Sequence, residues 1–208
     1  MSQDPPEGVL KPALWTERPV EETVAVYTDW AATYEAEVSA RGYHTPARLA
    51  AALAAVLEDD GRPVLDFGCG TGLSGTALRA AGIVPVHGTD IVEAMVAEAR
   101  PKGIYDRLWT EEAGGLDVEP GAYRAIVATG VVSLGAAPAE TMDYLIDALA
   151  PGDLLAMSFN DPTLSHGGYD ARLDTYLDTG RLRMLSREHG PHLDDVGMGS
   201  DVMVLARA

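Results

Sequence analysis

The chain has 208 residues, 47% of them hydrophobic, which suits one well-buried domain. Acidic residues outnumber basic ones 32 to 15, giving a net charge of −17. No basic run offsets that field, so nucleic acid is not an expected partner. No apolar run is long enough for a bilayer, so no membrane is expected, and the start from Met1 to Glu7 does not read as a signal peptide. Cys69, the only cysteine, excludes an internal disulfide or a cysteine-rich zinc site and fits a reducing, cytoplasmic setting.

Residues 1–20 carry Pro5, Pro6, Pro12 and Pro19 and little periodicity, and read as a surface arm with partly disordered character. Residues 21–208 read as a single domain whose first part, 21–60, is a helical cap. Glu21 to Val38 spaces Val24, Tyr27, Ala31 and Tyr34 as a helix does. Thr45-Pro46 opens a second helix that runs to about Leu57. From Arg62 strands and helices alternate. Strands are expected at 63–67, 83–88, 103–109, 124–129 and 153–158, with helices at 73–82, 92–100 and 139–150 between them. After a helix at 169–179, strands at 182–188 and 201–207 lie too close for a crossover helix, so they form an antiparallel hairpin. The expected class is α/β: a doubly wound seven-stranded sheet, mostly parallel, with an antiparallel C-terminal hairpin and N-terminal helices.

The loop Asp66-Phe67-Gly68-Cys69-Gly70-Thr71-Gly72 carries the strongest signal. It follows the first parallel strand, where open α/β sheets bind ligands, and Asp90 ends the second strand about 20 positions on, where an acid accepts ribose hydroxyls. Gly70-Thr71-Gly72-Leu73-Ser74-Gly75 is also a literal dinucleotide fingerprint. Against that reading, Gly68 already occupies the place just after the strand. Asp66 beside the loop is unfavourable for a pyrophosphate and suits an ammonium, directly or through water. Cys69 is expected to be buried, mattering through its main chain.

Val64 to Gly72 resembles motif I of the class I methyltransferases that use S-adenosylmethionine (SAM), a family with a Rossmann-like fold. Gly88-Thr89-Asp90-Ile91-Val92-Glu93-Ala94-Met95 resembles their second-strand motif. Ala99 to Leu108 and Tyr27 to Glu35 resemble a subgroup, the methyltransferase-like proteins named from the Williams–Beuren chromosome region. The resemblance implies SAM as cofactor and S-adenosylhomocysteine (SAH) as product. It places Asp66, Gly68 and Gly70 at the methionine end and Asp90 on the ribose, with Ile91 and Met95 by the adenine. It puts Glu111 or Glu112 on the adenine amino group and Thr129 and Gly130 beside the sulfonium. Relatives often carry a histidine shortly after that point, where this chain has Ser133-Leu134-Gly135.

Tyr27, Trp30 and Tyr34 read either as packing residues or as a lid over the cofactor, aromatic faces favouring a sulfonium by cation–π attraction. Tyr34 is the choice for a hydroxyl on the methionine carboxylate, and His44, Arg48 and Asn160 border the substrate in this reading. Candidate bases are Ser133, Asp161 and His166. Asp161 reads first as a turn residue before Pro162, and His166 first as a surface histidine in a flexible loop. His189 and His192 flank Gly190-Pro191, taken as the hairpin tip, and match no strong metal spacing; no metal is expected. The expected activity is transfer of a methyl group to a small-molecule acceptor by in-line displacement. The alternatives are a non-catalytic SAM- or SAH-binding protein and a nicotinamide-dependent reductase. The sequence does not set the oligomeric state.

Overall fold

A computed structural model describes residues 12–208. The expected arm lies outside the described residues up to position 11. From Pro12 the chain is docked: a 3-10 turn, Pro12–Trp15, buries Leu14 against Trp30 and Val38. Helix α1 (Val20–Ala40) and helix α2 (Thr45–Ala54) follow. Then come β1 (Val64–Phe67), α3 (Leu73–Ala80), β2 (Val86–Asp90), α4 (Glu93–Ala99), β3 (Arg107–Thr110), β4 (Ala125–Ala128), α5 (Thr141–Asp147) and β5 (Leu154–Asn160). Helices α6 (Asp161–His166) and α7 (Gly168–Asp178) and strands β6 (Leu182–Leu193) and β7 (Met198–Arg207) complete the chain.

The seven strands form one sheet in the order β3-β2-β1-β4-β5-β7-β6, and β7 is the strand that runs against its neighbours. β1, β4 and β5 are buried along their whole length, as their near-continuous apolar runs require in a sheet covered on both faces. The strand period of two divides their side chains. Leu65, Phe67, Ile126 and Ala128 pack with Met142, Leu145 and Leu173 on one face. Val64, Ala125 and Val127 pack with Leu49, Leu53 and Leu78 on the other. Strand order reverses between β1 and β4, and the crevice at their carboxyl ends is the switch point where such folds take ligands.

Four local expectations change. β2 starts at Val86 rather than Ile83, since Pro85 has no N–H for the ladder. β3 starts at Arg107 rather than Gly103, because Tyr105 and Asp106 turn back to bond Asp66 and the Val86 N–H. The expected flexible loop after β5 is helix α6: the Asn160 side chain accepts the Thr163 N–H at 3.1 Å, an N-cap with Pro162 in the first turn. The hairpin also turns later than Gly190-Pro191. β6 runs through to Leu193, and the reversal falls at Asp194–Val196. No helix among the described residues is long and apolar enough to cross a membrane.

Candidate functional site

The carboxyl ends of β1, β2 and β4, helix α1 and the segment from Gly135 to Tyr144 enclose a cavity of about 1150 Å³. Gly68 and Gly70 of the first loop line it, as do Asp90, Ile91 and Met95 after β2, Glu111 after β3, and Thr129 and Gly130 after β4. Tyr27 and Tyr34 reach it from α1. A methyl built on Gly70 would meet no atom within 4 Å, so the glycine leaves open space over the loop. Gly72 and Gly75 do not line the cavity. Added Cβ atoms would lie 2.5 Å from Ile104 and 2.4 Å from the Tyr105 hydroxyl, so these glycines admit the segment that precedes β3. The literal dinucleotide fingerprint therefore serves packing at its second and third glycines.

Asp90 ties the loop to β2. Its Oδ2 accepts the Gly70 N–H at 2.8 Å and its Oδ1 the Val92 N–H at 2.9 Å. Burial raises its pKa above the ordinary carboxylate value, against the pull of those backbone donors. Each oxygen keeps a lone pair for a ligand hydroxyl. Asp66 is placed differently from the expectation. The strand period puts it on the α3 face with Val64, whereas Phe67 faces the cavity. Its Oδ2 accepts hydrogen bonds from Ser74 and Tyr105, both at 2.6 Å, and its Oδ1 is buried without a hydrogen-bond partner among the described residues. Burial pushes its pKa up to about 6, opposed by the two hydroxyls. Asp66 thus supports the loop from beneath. Cys69 also stays out of the cavity. Its N–H goes to Thr89 O and its carbonyl takes the Gly72 N–H, both at 2.9 Å, while burial pushes its thiol pKa up.

Glu111 lines the cavity and Glu112 does not; the Trp109 indole N–H donates to Glu111 at 3.0 Å and fixes its direction. Trp30 lies behind the cavity wall, buried, with its ring edge-on to Tyr34 at 4.7 Å. Burial pushes the Tyr27 pKa up to about 12 and raises that of Tyr34, so both hydroxyls are neutral.

Of the candidate bases, His166 alone faces the main cavity. Its Nδ1 accepts the Gly168 N–H at 3.3 Å, which places the proton of the neutral ring on Nε2, 3.5 Å from Glu17. Ser133 is buried and donates to Gly130 O at 3.1 Å. It lines a separate space of about 60 Å³ together with Trp30, Asn160 and His192. Asp161 accepts the Gly199 N–H at 2.7 Å, fastening α6 to β7. His44 lies outside the cavity, paired with Asp194 at 2.7 Å, and Arg48 donates to the Glu188, Pro191 and Ser200 carbonyls. These two residues bind the hairpin to α2 rather than border the cavity. His189 accompanies Asp201, while His192 is buried beside Thr45, and burial lowers its pKa to about 4. His189 is exposed and His192 buried, and both lie within β6 rather than at the turn. Sequence reasoning missed Tyr105, Lys102 and Tyr144; the first two lie in a segment whose likeness to a subgroup was visible without a physical role.

A family model described as a methyltransferase domain matches residues 41–196. Methyltransferase-like protein 27 of Homo sapiens is 30% identical over 158 residues, covering 73% of this chain. The match spans 63% of that protein, less than two thirds of its length. Among solved structures, the complex of the Haloferax volcanii Trm112 methyltransferase activator with a methyltransferase gives a TM-score of 0.68. It is 18% identical and covers 87% of this chain and 97% of that one. The magnesium protoporphyrin IX methyltransferase of Synechocystis PCC 6803 with bound SAM gives 0.66 at 20% identity, covering 93% and 100%. At these identities the structural likeness shows the fold.

Proposed function

The chain belongs to the methyltransferase-domain family, and from that premise we propose that it transfers a methyl group from SAM to a small-molecule acceptor held in the same cavity. The observation that carries this reading is the cavity itself. Its volume of about 1150 Å³ exceeds the roughly 300–1,000 Å³ of a pocket for one drug-sized ligand, and the glycine loop and Asp90 occupy one part of it. The residues present fit the cofactor. Gly70 leaves a cradle that a Cβ would fill, and Thr129 has a buried hydroxyl with no hydrogen-bond partner among the described residues.

Asp90 would accept the ribose hydroxyls, and Ile91 and Met95 would pack beside the adenine. Glu111, which lines the cavity where Glu112 does not, would accept the adenine amino group. Gly68, Gly70, Thr129 and Gly130 would cradle the methionine end, with the neutral Tyr34 hydroxyl near its carboxylate. When bound, SAM supplies an electrophilic methyl carbon on a sulfonium. This chain's residues contribute position: they hold the acceptor atom in line and keep water away, which lowers the entropic barrier. A base is needed only for an acceptor that arrives protonated. His166 faces the right space, but its Nδ1 must release Gly168 before it can take a proton.

The rest of the cavity carries apolar walls from Val131, Ala136, Pro138, Tyr144 and Tyr169. Arg18 lines it, yet its guanidinium donates to the Gly135 and Leu14 carbonyls. Glu17 and Glu140 lie at the same end. Such walls favour an uncharged or cationic apolar molecule over a phosphate-bearing one. The test is incubation with methyl-labelled SAM and a cell extract, followed by size separation. Label in the low-molecular-mass fraction supports the proposal; label confined to protein or RNA overturns the acceptor assignment.

A further inference from the structure

Helix α1 supplies Tyr27 and Tyr34 to the cavity, so a ligand held there is enclosed as long as α1 stays on the glycine loop. Two kinds of contact keep it there. The first is apolar: Ala31 packs with Val92 and Met95, and Leu73, directly after the loop, packs against the Trp30 cluster. The second is polar and centred on a single cation. Lys102 Nζ donates to Glu35 Oε2 of α1 and, at 2.7 Å, to the main-chain oxygen of Thr71 in the loop. The Thr71 hydroxyl donates to the same Glu35 oxygen at 3.3 Å. Glu35 adjoins Tyr34, and Thr71 sits between Gly70 and Gly72. One ammonium therefore fixes two cavity-lining segments relative to each other. Lys102 itself is aimed by its setting: Arg100–Lys102 forms a 3-10 turn ended by Gly103 in the left-handed region.

Resting on the reading of this cavity as an adenosyl site, we infer that Lys102 is a positioning residue that sets how long an adenosyl ligand stays bound, by clasping the lid helix to the loop. The pair is partly open to water, with side-chain exposures of 29% for Lys102 and 42% for Glu35. Its strength is therefore modest and answers to salt, as a releasable clasp requires. The apolar contacts of α1 carry no such dependence. Lys102→Met removes both the bond to Glu35 and the bond to the Thr71 carbonyl, whereas Glu35→Gln leaves the latter in place.

The experiment is surface plasmon resonance with SAH on wild type, Lys102→Met, Glu35→Gln and Lys102→Arg. The expected result is dissociation about two- to fivefold faster for Lys102→Met and Glu35→Gln, with association nearly unchanged. Raising salt from about 0.05 M to about 0.5 M speeds release from wild type and leaves Lys102→Met nearly unchanged. Lys102→Arg keeps the wild-type rate and the salt response. Thermal midpoints stay within about 2 °C of wild type, which separates a clasp from general loosening of the fold. A wild-type dissociation rate in Lys102→Met overturns the inference. So does faster release accompanied by the same salt response as wild type. If wild type itself fails to bind SAH, the adenosyl reading of the cavity falls, a separate outcome from failure of the clasp.

Discussion

Asp66→Asn isolates the electrostatic cost of the loop's support. Asp66 is fully buried, and its pKa stands at about 6 against an ordinary 3.8. The difference of about 2 units corresponds to about 3 kcal/mol, at about 1.4 kcal/mol per unit. The folded state holds this proton more tightly than the unfolded chain does. Asp66 therefore costs stability progressively as pH rises from about 4 through about 6, and the full cost stands at pH 7. Asparagine can place its Oδ1 where Ser74 and Tyr105 donate, keeping both bonds without a charge. Urea unfolding of wild type and variant across pH 4 to 7.5 measures the difference, in which the other carboxylates cancel. Wild type should lose about 2.4 kcal/mol relative to Asp66→Asn over that range, roughly half of it between pH 5 and 7, because part of the difference lies below pH 4. The steady offset from altered hydrogen bonding does not matter, because the slope is the signal. Parallel curves, with a difference independent of pH, would refute a raised Asp66 pKa.

Asp90→Ala should weaken SAM binding more than tenfold, about 1.4 kcal/mol or more, in a calorimetric titration, and wild-type affinity there would sink the ribose assignment. Glu111→Gln should weaken SAM by several-fold, about 1 kcal/mol, and Glu112→Gln should leave it unchanged; the reverse order would place Glu112 on the adenine. Asp161→Asn should leave SAM affinity within about twofold of wild type while lowering the thermal midpoint, because its carboxylate holds the Gly199 N–H of β7. A large affinity loss in that variant would put Asp161 in the cofactor half of the site.

The sheet was readable from sequence because its central strands are short apolar runs separated by glycine turns. Leu65 and Ile126 could only be core in such a pattern. Motif I and Asp90 were readable because backbone geometry at a strand end depends on local residue type. The direction of a side chain at that end was harder to read. Asp66 and Phe67 are adjacent, yet the strand period turns one under α3 and the other into the cavity. The hairpin was misjudged because Gly190-Pro191 looks like a turn. The Leu193 side chain is buried and continues the strand past it. Asn160 and Pro162 were a legible N-cap for α6, passed over because a six-residue helix has too little periodicity to announce itself. The long-range ties, Lys102 to Glu35 and Tyr105 to Asp66, join residues 67 and 39 positions apart and leave no local pattern.

Titration calorimetry of the full chain with SAM, SAH and NADH in parallel tests the central claim most directly. Micromolar binding of SAM or SAH, with no heat from NADH, is the expected result. Binding of NADH alone would mean that the glycines from Gly70 to Gly75 cradle a pyrophosphate after all, and the adenosyl site built on Gly70 and Asp90 would be contradicted.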